Sequence, residues 1–138
     1  MNDPAVQLEL DRPLAHYGPG DPLAVDVHVE CANGDDVRAI ELSIMWYTAG
    51  KGEEDFAVHR FDRLTPGSDL PVTPPFHHRL STTLPASPLS YDGFIVKVCW
   101  CVRARLFLGQ GREAVQEIPF CLGNVPAPPR QHELDEED

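Results

Sequence analysis

The stretch Leu23-Ala24-Val25-Asp26-Val27-His28-Val29-Glu30 alternates apolar with mostly polar side chains at a period of two. An extended backbone sends successive side chains to opposite faces. Leu23, Val25, Val27 and Val29 therefore share one face, and Asp26, His28 and Glu30 share the other. This is the pattern of a strand with one side on a core and the other in water. The same period recurs at Val6, Leu8 and Leu10, and again at Ile40, Leu42, Ile44 and Trp46. Further along, Phe76, His78, Leu80, Thr82 and Leu84 line one face of another strand. Phe94, Val96, Val98, Trp100, Val102, Ala104, Leu106 and Leu108 line one face of a strand of 15 residues, long enough that a bulge or bend is expected within it. Glu113 to Cys121 forms the last strand. Phe56 to Leu64 is also read as a strand, but its alternation does not decide which face points inward.

Turn residues separate these segments. Tyr17-Gly18-Pro19-Gly20-Asp21-Pro22 breaks the chain before the strand quoted above, and Asn33-Gly34 is a hairpin signal after it. Gly50 to Asp55 reads as a second hairpin loop, and Gly109-Gln110-Gly111 as a third. Thr65 to Pro75 holds four prolines and cannot donate steadily to a ladder. No segment has a convincing helical period. The expected fold is all-β: an immunoglobulin-like sandwich of about seven antiparallel strands over residues 1–124. From Val125 the composition changes. Pro126, Pro128 and Pro129 lead into His132-Glu133-Leu134-Asp135-Glu136-Glu137-Asp138, so residues 125–138 are expected to be an acidic, proline-containing, disordered tail.

The 138 residues carry 22 acids against 11 bases, a formal net charge of −11. Phosphate contacts need a basic face, so a general nucleic-acid binder is not expected, nor is docking on an anionic membrane. The start, Met1-Asn2-Asp3-Pro4, lacks the basic and apolar regions of a secretory signal, and Lys97, Arg103 and Arg105 interrupt the most apolar stretch. The expectation is a cytoplasmic protein without membrane insertion, whose four cysteines are reduced thiols.

Two stretches resemble the arrestin-like fold family, with its Spo0M-type and sorting-related members. One is Leu14-Ala15-His16-Tyr17-Gly18-Pro19-Gly20-Asp21-Pro22-Leu23-Ala24-Val25, a tyrosine and a Pro-Gly-Asp turn before an alternating strand. The other runs from Pro75-Phe76-His77-His78-Arg79-Leu80 through Leu84-Pro85-Ala86-Ser87-Pro88-Leu89-Ser90-Tyr91-Asp92-Gly93 into the long strand. The resemblance covers roughly Val6 to Phe120 and implies a single arrestin-type sandwich with scaffolding or adaptor work. Arrestins join two such sandwiches, and this chain has length for one. No arrestin-type phosphate-sensing polar core is placed on these residues, and Pro74-Pro75-Phe76 is not a ligase-recruiting PPxY motif.

Four groups of residues are candidates for chemistry. Cys99 and Cys101 share a face opposite Trp100 and lie beside Lys97, Arg103 and Arg105, cations that would favour thiolate. With Cys31, Cys121 and His77 or His78 they would form a metal site. The plainer reading is small, inert, semi-buried thiols, because Cys-x-Cys lacks the spacing of a common zinc knuckle. His77 and His78 point to opposite faces and cannot readily chelate one ion, so His78 is expected inside and His77 outside. Lys97, Arg103 and Arg105 make a positive stripe, read either as cross-strand pairs with acids such as Glu41 or as a docking stripe for an acidic or phosphorylated peptide. Leu134 is a candidate apolar anchor in the acidic tail. No serine sits in a nucleophile elbow, and Gly109-Gln110-Gly111 reads as a turn and not a phosphate loop. The expected function is non-catalytic: a protein-interaction domain without cofactor, with homodimerisation through an edge strand as one route. The alternative is a small-ligand or metal-binding domain built on Cys99, Cys101 and His77.

Overall fold

Alternating strands can remove their apolar rows from water only by packing two sheets face to face, and the chain does this. The computed structural model describes residues 5–30, 37–52 and 54–123. The Asn33-Gly34 turn, Cys31, and the tail 125–138 with Leu134 lie outside the described residues. The smaller sheet contains β1 (Ala5–Leu10), β3 (Pro22–Glu30) and β6 (Phe76–Thr83) in the order β1-β3-β6, all antiparallel. The larger is built from β2 (His16–Tyr17), β4 (Val37–Gly50), β5 (Phe56–Leu64), β8 (Val96–Leu108) and β9 (Glu113–Leu122) in the order β2-β9-β8-β4-β5. A two-residue strand, β7 (Tyr91–Asp92), pairs with the start of β8. The seven segments read from the sequence are all strands. The short β2 and β7 are additional, and β2 runs parallel to β9, a departure from the all-antiparallel expectation.

The interior is the set of inward rows. Leu23, Val25, Val27 and Val29 of β3 face Ile40, Leu42 and Ile44 of β4 and Trp100, Val102, Ala104 and Leu106 of β8, all buried. Trp46 is partly buried against this cluster. A bulge or bend was expected within the long β8; it pairs along β9 without a register shift, so no bulge occurs there. The irregularities fall on its neighbours instead: β4 shifts register between Val37 and Ala39, and the β4–β5 ladder shifts between Ile44 and Met45. Both fall where only one ladder is affected: the β4 irregularity precedes Ile40, where pairing with β5 begins, and the extra residue of the other is His59 on the edge strand β5. Phe94 was expected on the inward face of β8. It lies before the strand begins and is wholly exposed, as Ile95 largely is.

Two corners close the sandwich, and they are the two stretches that carried the family resemblance. In the first, Tyr17 is fully buried and its hydroxyl donates to Asp11 Oδ1 at 2.5 Å. Burial, and then Asp11, pushes the Tyr17 hydroxyl far above its ordinary range. Arg12 lies over the Tyr17 ring at 4.7 Å and pairs with Asp21 at 2.9 Å. The Gly18 N–H donates to Asp21 Oδ2 at 2.8 Å; that bond, and then Arg12, lowers the Asp21 carboxyl. In the second corner, the Trp100 indole N–H donates to the Pro88 carbonyl at 2.7 Å. Ser90 clasps Leu122 from both sides: its N–H donates to the Leu122 carbonyl at 2.7 Å and its hydroxyl accepts the Leu122 N–H at 2.8 Å.

Leu106→Ala is expected to cost about 2–5 kcal/mol in urea denaturation, because a fully buried side chain leaves a cavity. Phe94→Ala is expected to change stability by less than about 0.5 kcal/mol.

Candidate functional site

The residues singled out for chemistry lie mainly on the outer face of the larger sheet. Opposed residues of a ladder share a face, and the registers Tyr47 to Cys99, Met45 to Cys101 and Ser43 to Arg103 put all six there. Cys101 also faces Pro119, and Arg103 faces Glu117. Cys101 is buried although it points away from the main core. Its environment reverses the thiolate expectation. Burial first, then the negative Glu117, pushes the Cys101 thiol up to about 11, and the opposing effect of Arg103 is smaller. The Tyr47 hydroxyl is raised too, by burial first and then by Cys99, Cys101 and Glu117.

Each cation of the stripe has an acid partner. Arg103 Nε donates to Glu117 Oε1 at 2.5 Å, Arg105 Nε lies 3.5 Å from Glu113 Oε1, and Lys97 Nζ lies 3.4 Å from Asp92 Oδ1. Glu41, the acid named from sequence, instead takes Arg63 from β5 at 2.6 Å. These pairs are exposed and each contributes at most about 1 kcal/mol.

The expected Cys–His assembly is not brought together. The register of His77 to His28 puts His77 on the outer face of the smaller sheet, across the whole sandwich from Cys99 and Cys101. There it stacks on His28 at 4.5 Å between centroids, with its Nε2 3.1 Å from Asp26 Oδ1. Arg79 donates to the other Asp26 oxygen at 2.7 Å. His78 turns inward and half-buried, 4.0 Å from Asp62 Oδ2. Among the described residues no group of three or more His, Cys, Asp or Glu side chains gathers as a metal ion would require. His16 Nε2 is buried without a hydrogen-bond partner, beside Cys121 in the β2–β9 register.

Sequence reading missed two exposed apolar features. One is the β7–β8 loop with the strand residue that leads into it: Tyr91 of β7, then Phe94 and Ile95, all exposed. It is pinned to the β4–β5 hairpin by the Lys51 N–H donating to the Ile95 carbonyl at 3.2 Å. A Cβ on Gly50 would stand 2.2 Å from that carbonyl, so only glycine allows the contact. The other is the outer row of β5, Phe56, Val58 and Phe61. Phe56 borders an open groove of about 400 Å³ that is also lined by Met45, Tyr47, Asp55 and Arg103. The signal was present as apolar letters in turn and strand, but a period of two alone does not say that a row lacks a cover.

These elements define an all-β sandwich of arrestin-like fold. Among solved structures, the chain is similar to the crystal structure of Spo0M, a sporulation control protein from Bacillus subtilis, with a TM-score of 0.62 at 18% identity. The match covers 91% of this chain and 51% of that one, so the chain spans about half the length of the structure it resembles. No protein-family model matches the sequence, and no curated protein matches it. Among the described residues no helix is long and apolar enough to cross a membrane.

Arg103→Glu is expected to lower stability by up to about 1 kcal/mol, with Glu117→Arg in the same chain restoring most of it in a double-mutant cycle. A thiol that titrates near 11 is protonated at pH 8. Cys101 is therefore expected to resist iodoacetamide in the folded protein at that pH and to react once urea unfolds it, read by peptide mass spectrometry.

Proposed function

We propose that this chain is a non-catalytic protein-interaction domain of the adaptor or scaffold kind, acting in the cytoplasm on a protein partner. The observation that carries this reading is the exposed loop with Tyr91, Phe94 and Ile95. The inward rows of the two sheets already supply the core, so folding gives no reason to leave three large side chains in water within five positions. Clustered apolar exposure of this sort marks docking surfaces, and aromatic side chains are preferred anchors in them. The loop is held at one end of a rigid sandwich by the Lys51–Ile95 bond, as binding loops on such scaffolds are. The arrestin-like fold supports a regulatory adaptor, and Spo0M is a sporulation control protein.

The chemistry of the described side chains favours binding over catalysis. The buried Cys101 thiol is held protonated, and the cations Lys97, Arg103 and Arg105 are engaged by acids. A docking stripe for an acidic peptide would have to displace Glu117 and Glu113 first, which makes the apolar loop the better contact.

Affinity capture from native lysate, read by mass spectrometry, tests the reading with three chains: the intact protein, a chain ending at Asn124, and a Phe94→Asp/Ile95→Asp variant. The expected result is a partner retained by the first two and lost by the third, with the melting temperature of the third unchanged. A partner that survives the loop variant overturns the loop as the contact. One recovered only by the intact protein moves the function to residues 125–138.

A further inference from the structure

Among the described residues the free edges belong to β1, β6, β5, the two-residue β2 and β7, and the length of β9 that β2 does not cover, and all but β5 are poor sites for adding a strand: β9 contains Pro119 and carries Glu113 and Glu117 on its outer face. β2 is two residues long. The free edge of β6 is covered by side chains of β5: His59 Nε2 lies 2.9 Å from the Thr83 carbonyl oxygen, and Arg60 donates to the Ser81 carbonyl at 3.4 Å. β1 presents Gln7 and Glu9 outward, so a strand added there would cover no apolar surface. β5 is different. It is nine residues long, contains no proline, and carries Phe56, Val58 and Phe61 at 65%, 45% and 50% exposure on its outer face. An open apolar edge of this kind is a template for pairing with another strand.

The bulge in β5 selects the occupant. Ile44 pairs with Arg60 and Met45 with Val58, which leaves His59 as the extra residue. The outer residues are consequently Phe56 and Val58 on one side of the bulge and Phe61 and Arg63 on the other. Opposed residues in an antiparallel pair must share a face. Two copies of β5 meet that condition when they run antiparallel about a two-fold axis between His59 and Arg60. Val58 then opposes Phe61 of the second copy, and Phe56 opposes Arg63 of the second copy. In an unbulged strand the same alignment would put Val58 and Phe61 on opposite faces, and no such pairing would form.

The contacts suit the residues. Val58 against Phe61 is an aromatic–aliphatic cross-strand pair, a favourable combination. Arg63 already lies over the Phe107 ring at 5.4 Å while bound to Glu41, so its guanidinium is oriented to meet a further aromatic face. Charge agrees as well. The chain has a formal net charge of −11, which opposes self-association in general, but β5 contains Arg60 and Arg63 against the single acid Asp62. It is a stretch of the surface where two acidic copies can approach without acid facing acid.

We propose that β5 is a homodimerisation edge: two copies pair antiparallel through Phe56–Arg63, with Val58 of each opposite Phe61 of the other, joining the two larger sheets into one. The interface is isologous and closes on itself, so it ends at the dimer.

Sedimentation equilibrium of the full chain tests this. A concentration series is expected to rise from the monomer mass of 15.3 kDa to twice that value, with association strengthened by added salt as the repulsion between acidic copies is screened. Val58→Lys alone and Phe61→Glu alone are each expected to remain monomeric with unchanged circular-dichroism melting, since both side chains are exposed. Mixing these two variants is expected to restore a dimer, because the register puts Lys at 58 of one copy against Glu at 61 of the other. A wild-type chain that stays monomeric overturns the proposal. So does a dimer that survives either single variant, which would be built on another surface, and so does failure of the mixed pair to associate, which would exclude the register. The loop variant of Phe94 and Ile95 is expected to dimerise normally, so this result is independent of the partner-binding reading.

Discussion

The burial of Trp100 between the sheets is the constraint on which the rest of the molecule hangs. Its indole fills the end of the interior, with Phe120 5.7 Å and His59 6.3 Å away between ring centroids. A buried indole needs an acceptor for its N–H, and the Pro88 carbonyl supplies it. That one bond fixes the segment between β6 and β7 over the end of the sandwich. Ser90 then clasps the end of β9, and β7 returns the chain to pair with β8. The exposed loop and its pin to the hairpin follow from where this corner releases the chain.

Polar groups finish what the apolar rows begin. Along the open side between β5 and β6, His59, Arg60 and Asp62 reach across the gap toward Thr83, Ser81 and His78. These contacts satisfy carbonyls that would otherwise face solvent as an unpaired edge. The bulge at His59 is what turns both His59 and Arg60 toward that seam, and the same extra residue sends Val58 and Phe61 to the outer face. One irregularity thus protects one edge and leaves a neighbouring one apolar and open. A strand without the bulge would send His59 and Arg60 to opposite faces, and Val58 and Phe61 likewise.

The surface chemistry is governed by the same balance of burial and charge. Arg103 lies near Cys101, and by sequence alone it argues for a reactive thiolate. Desolvation by burial outweighs it, and Glu117, the acid that pairs with Arg103, adds to the effect. The charges of the stripe are met by acids, and the Cys101 thiol is held protonated. Among the described residues the exposed apolar side chains are the feature on which the proposed binding role rests.

The strands, and the inward faces of most of them, could be read from the chain alone. Alternation at a period of two depends only on the geometry of an extended chain, so Leu23 to Val29, Ile40 to Ile44 and Trp100 to Leu108 were legible one residue at a time. The turn residues of the two corners were legible too, because Gly, Pro and Asp act locally, and they carried the arrestin-like resemblance. The remaining features follow from long-range pairing. Which acid meets Arg103, whether Cys101 lies under a cover, and whether His77 can reach Cys99 all depend on strand order and register, which no local pattern encodes. Phe94 shows the limit most clearly: it continues the period of the strand that follows, yet the corner releases the chain late, and the residue stands in solvent. The inward face of β5 was undecided for a related reason. Its bulge breaks the period at His59, and that break becomes visible only against the unbroken ladder of β4.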